Sequence, residues 1–589
     1  GIYIYDSNSS IISYNEIYNN TNENILVQAS FYSEISSNTL YASNARCMRL
    51  RESYYNNVTN NTAVGCYPAF QFLNSSNNLI IGNNATDNIN YGFRVFSQSN
   101  DNVFINNTAC NNTAIGFYVH MDSHRNNFTG NIACNNTYGF VFNSSANNTL
   151  TNNLAYNNSL HGIYLYNSSN NVLISNRGYN NSQYGFFLDS SFDFNTLTNN
   201  TAYKNTYTGI YIYNSSNSIL YNNTAYNNFY YGLYIYFSSN SNLTNNTAYS
   251  NSQHNFVVSE SSSNTLESNK AYNSIWYGFL ITSSLNNNLS NNVVYNCSYG
   301  FLIDTSADNN TLVNNTAFNN ANGLLVYVSN NTNISNTHLY NNSNFDVLIS
   351  ADDFNVYNLY ISNLTIDNPA GNFQNYTSLD IVDEYGNPTM EEAYGIKWNP
   401  QPATLPSNRI SFAQKFVNIT QEGGSVSIDS ITWTWLDSEL TGYNESKFEL
   451  WKYNASGWTL MNNTPDTTAN TLSLTDMNPA SIYGILQNNV SGCQVITSPG
   501  DYQLSENAVG APYDATPLSN YTCVKIASSN VTFDCNGYNI TDNGTADIAT
   551  TYGILVNGSL TNVTIRTVSY THLRAHETPE HLVCRLLLE

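Results

Sequence analysis

The sequence predicts an all-β protein whose residues 1–367 form a parallel β-helix solenoid of about 15 coils, with about 23 residues in each coil. Three observations predict this fold: a repeated unit, an alternation of apolar residues inside the unit, and turns rich in Asn and Ser between the alternating segments. A β-sandwich-like module and the start of a second β-helix are expected after the solenoid.

The repeated unit has the form Y-G-(F/I/L)-x-(L/I/V)-x-N-S-S-N-x-x-L-x-N-N-T-A-Y-N-N and recurs through the first 340 residues. One Asn of each unit sets the register, and its thirteen steps are ten of 23, two of 24 and one of 22 residues. We expect these residues to form a buried ladder in which each amide donates and accepts along the axis. The ladder residues are Asn15, Asn38, Asn61, Asn84, Asn107, Asn131, Asn153, Asn176, Asn200, Asn223, Asn246, Asn269, Asn292 and Asn315.

Within each unit the apolar residues alternate with the period of a strand. Phe186 and Leu188 alternate with Phe187, and Ile210 and Ile212 repeat this pattern in the following unit. Three short strands separated by turns, without a helical segment, describe one coil of a parallel β-helix. Asn suits the corners because it tolerates the left-handed backbone region and bonds its own backbone.

The unit resembles the parallel β-helix repeat of the NosD-like and carbohydrate-binding/sugar-hydrolase group of right-handed β-helix proteins. Its Asn- and Tyr-rich version is similar to large surface proteins of archaea, and the resemblance covers residues 1 to about 367. It implies a right-handed solenoid. It implies no particular reaction, because this fold carries lyases, hydrolases and inert stalks.

The repeat ends near residue 367, and the rest of the chain divides into three segments. Residues 368–488 hold five of the six Trp in short alternating segments, which is typical of an Ig-like β-sandwich. Residues 489–567 resemble the first coils of another, truncated β-helix. Residues 568–589 resemble a translated sequencing adapter rather than native protein, with a short amphipathic helix as the alternative. Because the sequence opens without Met or a signal peptide, we expect a fragment of a longer protein.

Composition and charge exclude several classes of protein. A net charge of −23 and a pI near 4.5 exclude a basic nucleic-acid binder. No apolar run reaches the roughly 20 residues of a membrane span. The content of 41% hydrophobic and 14% aromatic residues excludes a disordered chain.

Two groups of residues are candidates for catalysis, and each has a simpler interpretation. The first comprises His120, Asp122, His124 and Arg125 with Arg94 and Asp101 one coil earlier. Asp101 and Arg125 differ by one coil and are expected to form a surface ion pair. The second comprises Asp189 with Asp193 and Asp304 with Asp308. The two pairs should lie about 24 Å apart, too far for the paired carboxylates of a glycosidase, and solvated turn residues are the expectation.

No metal site, cofactor or catalytic residue is therefore predicted. Copper binding would need imidazole or thioether ligands gathered together. Outside the tail, the five His residues are spread along the repeat, and the chain has only five Met.

Aromatic residues recur three positions after the ladder Asn in seven consecutive units. If the preceding Ala points inward, each of these Tyr points outward or lies at a corner. They are candidates for carbohydrate contact or lateral association. The alternative is a self-stacked ladder that shields the corner of the solenoid. The residues are Tyr156, Tyr179, Tyr203, Tyr226, Tyr249, Tyr272 and Tyr295.

Cys110 and Cys134 occupy the position of this Tyr column in two adjacent units. Their Cα atoms should lie about 4.8 Å apart, within the range of a disulfide, and a pair of stacked thiols is the alternative. Sequons are also dense, and they become N-glycosylation acceptors only in an exported chain. The candidate acceptors are Asn60, Asn74, Asn106, Asn143, Asn167, Asn199, Asn214, Asn222, Asn245 and Asn314.

Taken together, the sequence favours a non-catalytic, exported cell-surface or envelope protein that acts as a structural rod or an adhesion surface. Its expected partners are polysaccharide or other surface proteins, with no nucleic acid and no membrane span. The alternative is a polysaccharide-active lyase or hydrolase, or a sugar-binding module, on the same fold.

Overall fold

A computed structural model of the 589-residue chain describes residues 1–41, 46–190, 194–351, 358–367, 376–383, 392–406, 408–424, 428–477, 480–488, 492–504, 506–510, 513–514, 521–541, 551–556 and 558–567. The tail at 568–589 and Asp193 lie outside these residues. The chain folds into two compact units. The first comprises 1–371, 380–397 and 421–429, and the second comprises 372–379, 398–420 and 430–589.

The first unit contains the predicted parallel β-solenoid, and the all-β fold class is confirmed. The last strand of its first face, Phe345–Ala351, also pairs antiparallel with residues 392–396. Each coil contributes one strand to each of three faces, and each strand pairs in parallel with the equivalent strand of the next coil, as Ile210 does with Leu233. The first face holds Ile2–Tyr5, Ile25–Gln28, Met48–Arg51, Phe70–Leu73, Phe93–Phe96, Ile115–His120, Tyr138–Asn143, Ile163–Tyr166, Phe186–Asp189, Ile210–Tyr213, Tyr231–Tyr236, His254–Ser259, Tyr277–Thr282, Tyr299–Asp304, Asn322–Tyr327 and Phe345–Ala351.

The second and third faces are built from shorter strands. The second holds Ile11–Ser13, Glu34–Ser36, Asn57–Thr59, Leu79–Ile81, Val103–Ile105, Asn127–Thr129, Thr149–Thr151, Val172–Ile174, Thr196–Thr198, Ile219–Tyr221, Asn242–Thr244, Thr265–Glu267, Asn288–Ser290, Thr311–Val313 and Asn333–Ser335. The third holds Glu16–Ile17, Thr39–Tyr41, Thr62–Val64, Asn84–Thr86, Thr108–Cys110, Ile132–Cys134, Leu154–Tyr156, Arg177–Tyr179, Thr201–Tyr203, Thr224–Tyr226, Thr247–Tyr249, Lys270–Tyr272, Val293–Tyr295, Thr316–Phe318 and His338–Tyr340. The strand Leu359–Asp367 pairs with the last strands of both faces.

The core follows from the alternation in the sequence, because every second residue of a strand points inward. Phe93 stacks on Phe117 and Phe117 on Phe140, with ring centroids 4.7 and 4.6 Å apart. On the third face, Ala202 and Ala225 are fully buried. The small Ala side chains leave room for the close approach of the glycines that open the first-face strands, since a Cβ on Gly209 would lie 3.0 Å from the Ala225 Cβ.

Strands also form the described part of the remaining chain, together with the short 3-10 helices Asp437–Glu439 and Glu445–Lys447. These strands are Tyr376–Asp383, Glu392–Trp398, Arg409–Gly424, Ile428–Thr434, Phe448–Asn454, Gly457–Asn462, Thr471–Met477, Ser481–Asn488, Gln494–Ile496, Gly500–Gln503, Ala508–Val509, Tyr513–Asp514, Tyr521–Ile526, Val531–Asp534, Ile540–Thr541, Thr551–Val556 and Val563–Arg566.

The second unit contains two patterns of pairing. The strand Ser481–Asn488 runs antiparallel to Arg409–Gly424 and to Phe448–Asn454, and Gly457–Asn462 extends this sheet beyond Phe448–Asn454. From residue 494 onward the pairing becomes mainly parallel, with partners about 30 residues apart, as between Val531 and Val563. Parallel pairing at a constant separation is typical of solenoid coils.

Candidate functional site: ladders, outer faces and an arginine cluster

The Asn column lies in the interior of the solenoid and is hydrogen-bonded from coil to coil. The Nδ2 of Asn200 donates to the Oδ1 of Asn223 at 3.1 Å, and the main-chain N–H of Asn200 donates to the same oxygen at 2.9 Å. Asn200 Nδ2 also donates to the carbonyl of Leu173 at 2.8 Å. The pattern extends from Asn15 to Asn315 among the described residues, and it provides partners for amides that would be costly to bury alone.

The prediction for one ladder residue is wrong. Asn83, not Asn84, accepts from Asn61 and donates to Asn107, while Asn84 points outward. The cause is a coil that is one residue short: Thr62 pairs with Asn84, 22 residues on, and Met48 pairs with Phe70 at the same separation. Two consecutive Asn residues hide this shift in the sequence.

Two further Asn columns and a Ser column were missed from the sequence. The second Asn column includes Asn102 and Asn126, and the third includes Asn205 and Asn228. In the Ser column, the N–H of Ser238 donates to the Oγ of Ser261. All of these columns repeat at the spacing of the first ladder, so the N-S-S and Y-N-N positions of the repeated unit could have predicted them. The polar residues thus hold three corners of each coil.

The predicted Tyr column is half-buried and stacked ring on ring. From Tyr156 through Phe318 to Tyr340 the ring centroids lie 4.7 to 5.0 Å apart. The planes of Tyr249 and Tyr272 are parallel, at 0°. Since each ring covers the face of the next, sugar stacking on the faces of the inner rings is blocked. Only the ring edges and hydroxyls are open to a ligand.

The disulfide candidates are bonded to each other. Cys110 and Cys134 form a disulfide with Cα atoms 4.5 Å apart. Two more disulfides, Cys47–Cys66 and Cys493–Cys523, were not predicted from the sequence. Among the described cysteines, Cys297 and Cys535 are free and buried.

The sequon residues lie at the outer corners. Asn60, Asn74, Asn106, Asn167, Asn199, Asn214, Asn222, Asn245 and Asn314 are exposed, and Asn143 is half-buried. The nine exposed residues have positive φ angles, such as 56° at Asn199 and 54° at Asn222. The backbone conformation alone therefore explains why Asn occurs at these corners, because Asn tolerates the left-handed region better than most residues.

The outer side of the first face carries an aromatic strip that was not predicted from the sequence. Tyr164, Phe187, Tyr211 and Tyr234 stack in consecutive coils with centroids 5.0 Å apart. Burial raises the pKa of the Tyr211 hydroxyl, so it stays protonated and can donate. The strip continues as Val257, Leu280 and Leu302. In the repeated unit these residues occupy the variable position between two inward-pointing residues. The period-two alternation therefore directs their side chains to the outer surface.

The first catalytic group separates into two unrelated parts. The Nε and Nη2 of Arg125 donate to the two carboxylate oxygens of Asp101 at 2.8 and 2.7 Å, which is the expected surface ion pair. Asp122 is exposed, and His124 Nδ1 accepts from the N–H of Ala146.

His120 contacts Arg94, which together with Arg46 and Arg49 forms the arginine cluster at the first face. The side chain is buried, and its Nε2 accepts from the Nε of Arg94 at 3.1 Å. Burial, together with the charge of Arg94, lowers the pKa of His120 to about 4, so the ring is neutral at pH 7. The arrangement holds Arg94 in place.

The carboxylates of the second candidate group accept hydrogen bonds from neighbouring residues. Asp189 accepts from the hydroxyl of Tyr164 at 2.9 Å. Asp304 accepts from the hydroxyl of Thr305, and Asp308 accepts from the N–H of Asn330 at 2.7 Å. Asp193 lies outside the described residues.

Neither a metal site nor a membrane-spanning helix occurs in the described part of the chain. No group of three or more His, Cys, Asp and Glu there is placed to hold a metal ion. No helix there has the length and apolar character that crossing a membrane requires. A polar pocket of about 430 Å³ does open between the second and third faces, with Arg177 as its charged residue.

Several solved structures resemble the chain at low sequence identity. No curated protein matches the chain. Among solved structures, the A-module of mannuronan C-5 epimerase AlgE4 from Azotobacter vinelandii is 15% identical, with 52% of this chain and 86% of that chain covered and a TM-score of 0.35. The surface adhesin PfbA of Streptococcus pneumoniae is 12% identical, with 62% and 89% covered and a TM-score of 0.36. The Dettilon tailspike protein is also 12% identical, with 79% and 88% covered and a TM-score of 0.31.

None of these weak likenesses carries a function over to this chain. The model of the family described as the right handed beta helix region matches residues 1–133, 33–178, 116–217 and 173–317, which together exceed half of the chain. With the parallel three-faced coils described above, this match shows that the chain belongs to the right-handed β-helix family.

Proposed function

We propose that the chain is a non-catalytic, exported surface protein: a rigid rod whose outer faces contact polysaccharide or other surface proteins. The observation that carries the proposal is the coil-to-coil Asn ladder, which runs from Asn15 to Asn315. Fifteen coils at about 4.8 Å each span roughly 70 Å, a length suited to presenting a surface at a distance. In this proposal the polar residues of the interior serve rigidity, and the outer faces serve contact.

Export is supported by the disulfides and by the exposure of the candidate glycosylation residues. Three disulfides among the described residues favour an oxidising compartment, because such bonds are rare in the cytosol. Nine of the ten candidate sequon residues are exposed, as glycosylation would require. Location at the cell surface is part of the same proposal.

The contact surface that we propose is the aromatic strip on the first face rather than the stacked Tyr column. Tyr and Phe provide large amphipathic area, and the strip adjoins the polar tips of Asp189 and Ser259. The seven Tyr candidates of the column have only their ring edges and hydroxyls open, so in this proposal they are secondary contacts that add little to binding. The division into a β-helix at 1–367, a sandwich at 368–488 and second-helix coils at 489–567 is also proposed.

A glycan array with the whole chain tests the proposal. We expect retention of one or more polysaccharides, lost at least fivefold in Tyr211→Ala and unchanged within twofold in Tyr249→Phe, which keeps the stacked column. A chain that binds no polysaccharide and no surface protein would overturn the contact role.

The second candidate function, a polysaccharide-active enzyme, has one observation in its favour. Arg94 and His120 are hydrogen-bonded on an outer face, and such residues also occur in catalytic sites. Asp101, the carboxylate grouped with them from the sequence, pairs with Arg125 instead. Product analysis separates the two functions, as described at the end of the Discussion.

A further inference from the structure

Arg94 differs from the other partly buried arginines of the first face in having no carboxylate partner. Arg46 and Arg49 both pair with Glu23, at 3.2 and 3.3 Å. Among the described residues, no carboxylate lies within ion-pair distance of Arg94. A cation removed from water without a counter-ion is costly, so the free protein carries an unbalanced charge at this position.

The surroundings hold the Arg94 guanidinium in one orientation. Its carbon lies 4.2 Å from the centroid of the Phe96 ring and 5.5 Å from that of Tyr91. Its Nε donates to His120, which stays neutral because its pKa is about 4. The Nε bond leaves the two Nη groups for another acceptor, and their planar fork fits a carboxylate or a sulfate.

The local charge also favours an anionic ligand. Arg46 and Arg49 share a single carboxylate, Glu23, and Arg94 has none, so these three arginines carry excess positive charge in a chain of net charge −23. Burial lowers the pKa of Arg94, and the charge of Arg46 acts in the same direction. An anionic ligand would relieve this repulsion.

A second polar group beside Arg94 also has no partner. Gln71 lies between Arg49 and Arg94 in the register of the first face, and its side chain is only 1% exposed. Its Oε1 is buried without a hydrogen-bond donor. A ligand that carries both an acid group and hydroxyls would supply what Arg94 and Gln71 lack, and acidic sugars have this combination.

We propose that Arg94 is the anion-binding residue of a site for an acidic polysaccharide, with the carboxylate or sulfate ester of one sugar bound by its Nη groups. The site lies on the outer side of the first face, in the same register column as Tyr118, Tyr164 and Tyr211. An extended chain could therefore continue from Arg94 along the aromatic strip. The inference rests on the proposed function, since it names the class of polysaccharide that the surface binds.

The test measures binding of the whole chain to polygalacturonate, to chondroitin sulfate and to neutral dextran by calorimetry at low and high salt. We expect wild type to bind at least one acidic polymer, to bind dextran at least tenfold more weakly, and to lose affinity as salt rises. Arg94→Gln should lose at least tenfold in affinity, and Arg94→Lys, which keeps the charge without the fork, about fivefold.

Stability of the variants separates a binding role from a structural one. Arg94→Gln removes an unpaired charge but also the donor to His120 Nε2, so these effects partly offset each other and its melting temperature should stay close to that of wild type. Arg125→Gln and Arg177→Gln are matched controls, since they remove exposed cations elsewhere and should change affinity less than twofold. Equal affinity of Arg94→Gln and wild type, or a larger loss in Arg177→Gln, would overturn the inference.

The outcomes also distinguish this inference from the proposed function. If the chain binds neutral and acidic polymers equally, the inference fails and the contact role stands. If the chain shortens or modifies a polymer, the non-catalytic role fails. The effect of Arg94→Gln on binding still tests the inference, because binding is measured separately from product formation.

Discussion

Asn223 and Asn246 are joined by two hydrogen bonds that end on one atom. The Oδ1 of Asn246 accepts from the main-chain N–H of Asn223 at 2.9 Å and from its Nδ2 at 3.0 Å. Asn223 Nδ2 also donates to the carbonyl of Leu197 at 2.8 Å. Each ladder residue thus satisfies its own amide and a main-chain N–H, which explains why this polar side chain is kept in the core.

Asn223→Leu should destabilise the solenoid. It removes the acceptor for the main-chain N–H of Asn200, and each buried donor left unsatisfied costs about 1–3 kcal/mol. Urea denaturation followed by circular dichroism measures the loss. The control is Asn222→Gly at the adjacent exposed corner, where glycine tolerates the φ of 54° and the change should stay within about 1 kcal/mol. Equal urea midpoints for the two variants would contradict the ladder.

The Cys110–Cys134 disulfide should stabilise the solenoid by constraining the unfolded chain. The chain-entropy model gives about 3 kcal/mol for a loop with a separation of 24 residues. Cys110→Ser/Cys134→Ser should unfold at lower urea than wild type, whereas in reducing buffer the two proteins should unfold alike.

Thiol labelling checks the same bond. After denaturation without reductant, maleimide should modify Cys297 and Cys535, which are free, and leave Cys110 and Cys134 unmodified. Modification of both Cys110 and Cys134 would show that the bridge is absent and would weaken the case for export.

His161 should make the stability depend on pH. Burial lowers the pKa of His161 to about 4, below its unfolded value of about 6.5. The unfolded state therefore binds more protons between these values, so the stability is fully present above about pH 6.5 and falls as pH drops toward 4. The loss is at most about 3 kcal/mol for this residue.

His161→Phe isolates this contribution, because phenylalanine keeps the stacking on Tyr184, whose ring centroid lies 4.9 Å from that of His161. The urea midpoint of this variant should fall less than that of wild type between pH 6.5 and 4.5. Parallel pH profiles for the two proteins would mean that His161 titrates normally.

Tyr249 should act mainly as a shield within its column. Its ring stacks on Tyr226 and Tyr272 with centroids 4.9 and 4.8 Å away. Tyr249→Ala should cost about 1–3 kcal/mol, since each aromatic pair is worth about 0.5–1.5 kcal/mol beyond burial. Tyr249→Phe keeps the stack and should cost little. A Tyr249→Ala variant with wild-type stability but weaker polysaccharide binding would instead assign the column to ligand contact.

The repeat made the solenoid predictable, because a residue such as Asn223 recurs at nearly constant spacing and only a parallel stack satisfies a buried amide in every coil. Asn84 was misassigned because a coil one residue shorter precedes it and Asn83 has the same side chain. The Cys47–Cys66 bond could not be predicted, since its separation of 19 residues is not one coil.

The candidate site was harder to predict than the fold. Arg94 and His120 were grouped correctly, but only the geometry shows that His120 is buried and accepts from Arg94. The period-two pattern was used for the inward residues alone, so outward residues such as Tyr211 were passed over. Which outer face can form a contact surface depends on how side chains pack between neighbouring coils. The sequence of a single repeat does not contain that information.

The most direct test of the non-catalytic rod is product analysis on the polysaccharides that the chain binds. The whole chain is incubated with each polymer, and polymer length, new reducing ends, unsaturated sugars and epimer composition are followed by chromatography and NMR. The account predicts stable binding with no change in any of these over a day. New ends, unsaturated sugars or epimers that form in proportion to protein concentration, and that disappear in His120→Gln, would contradict it.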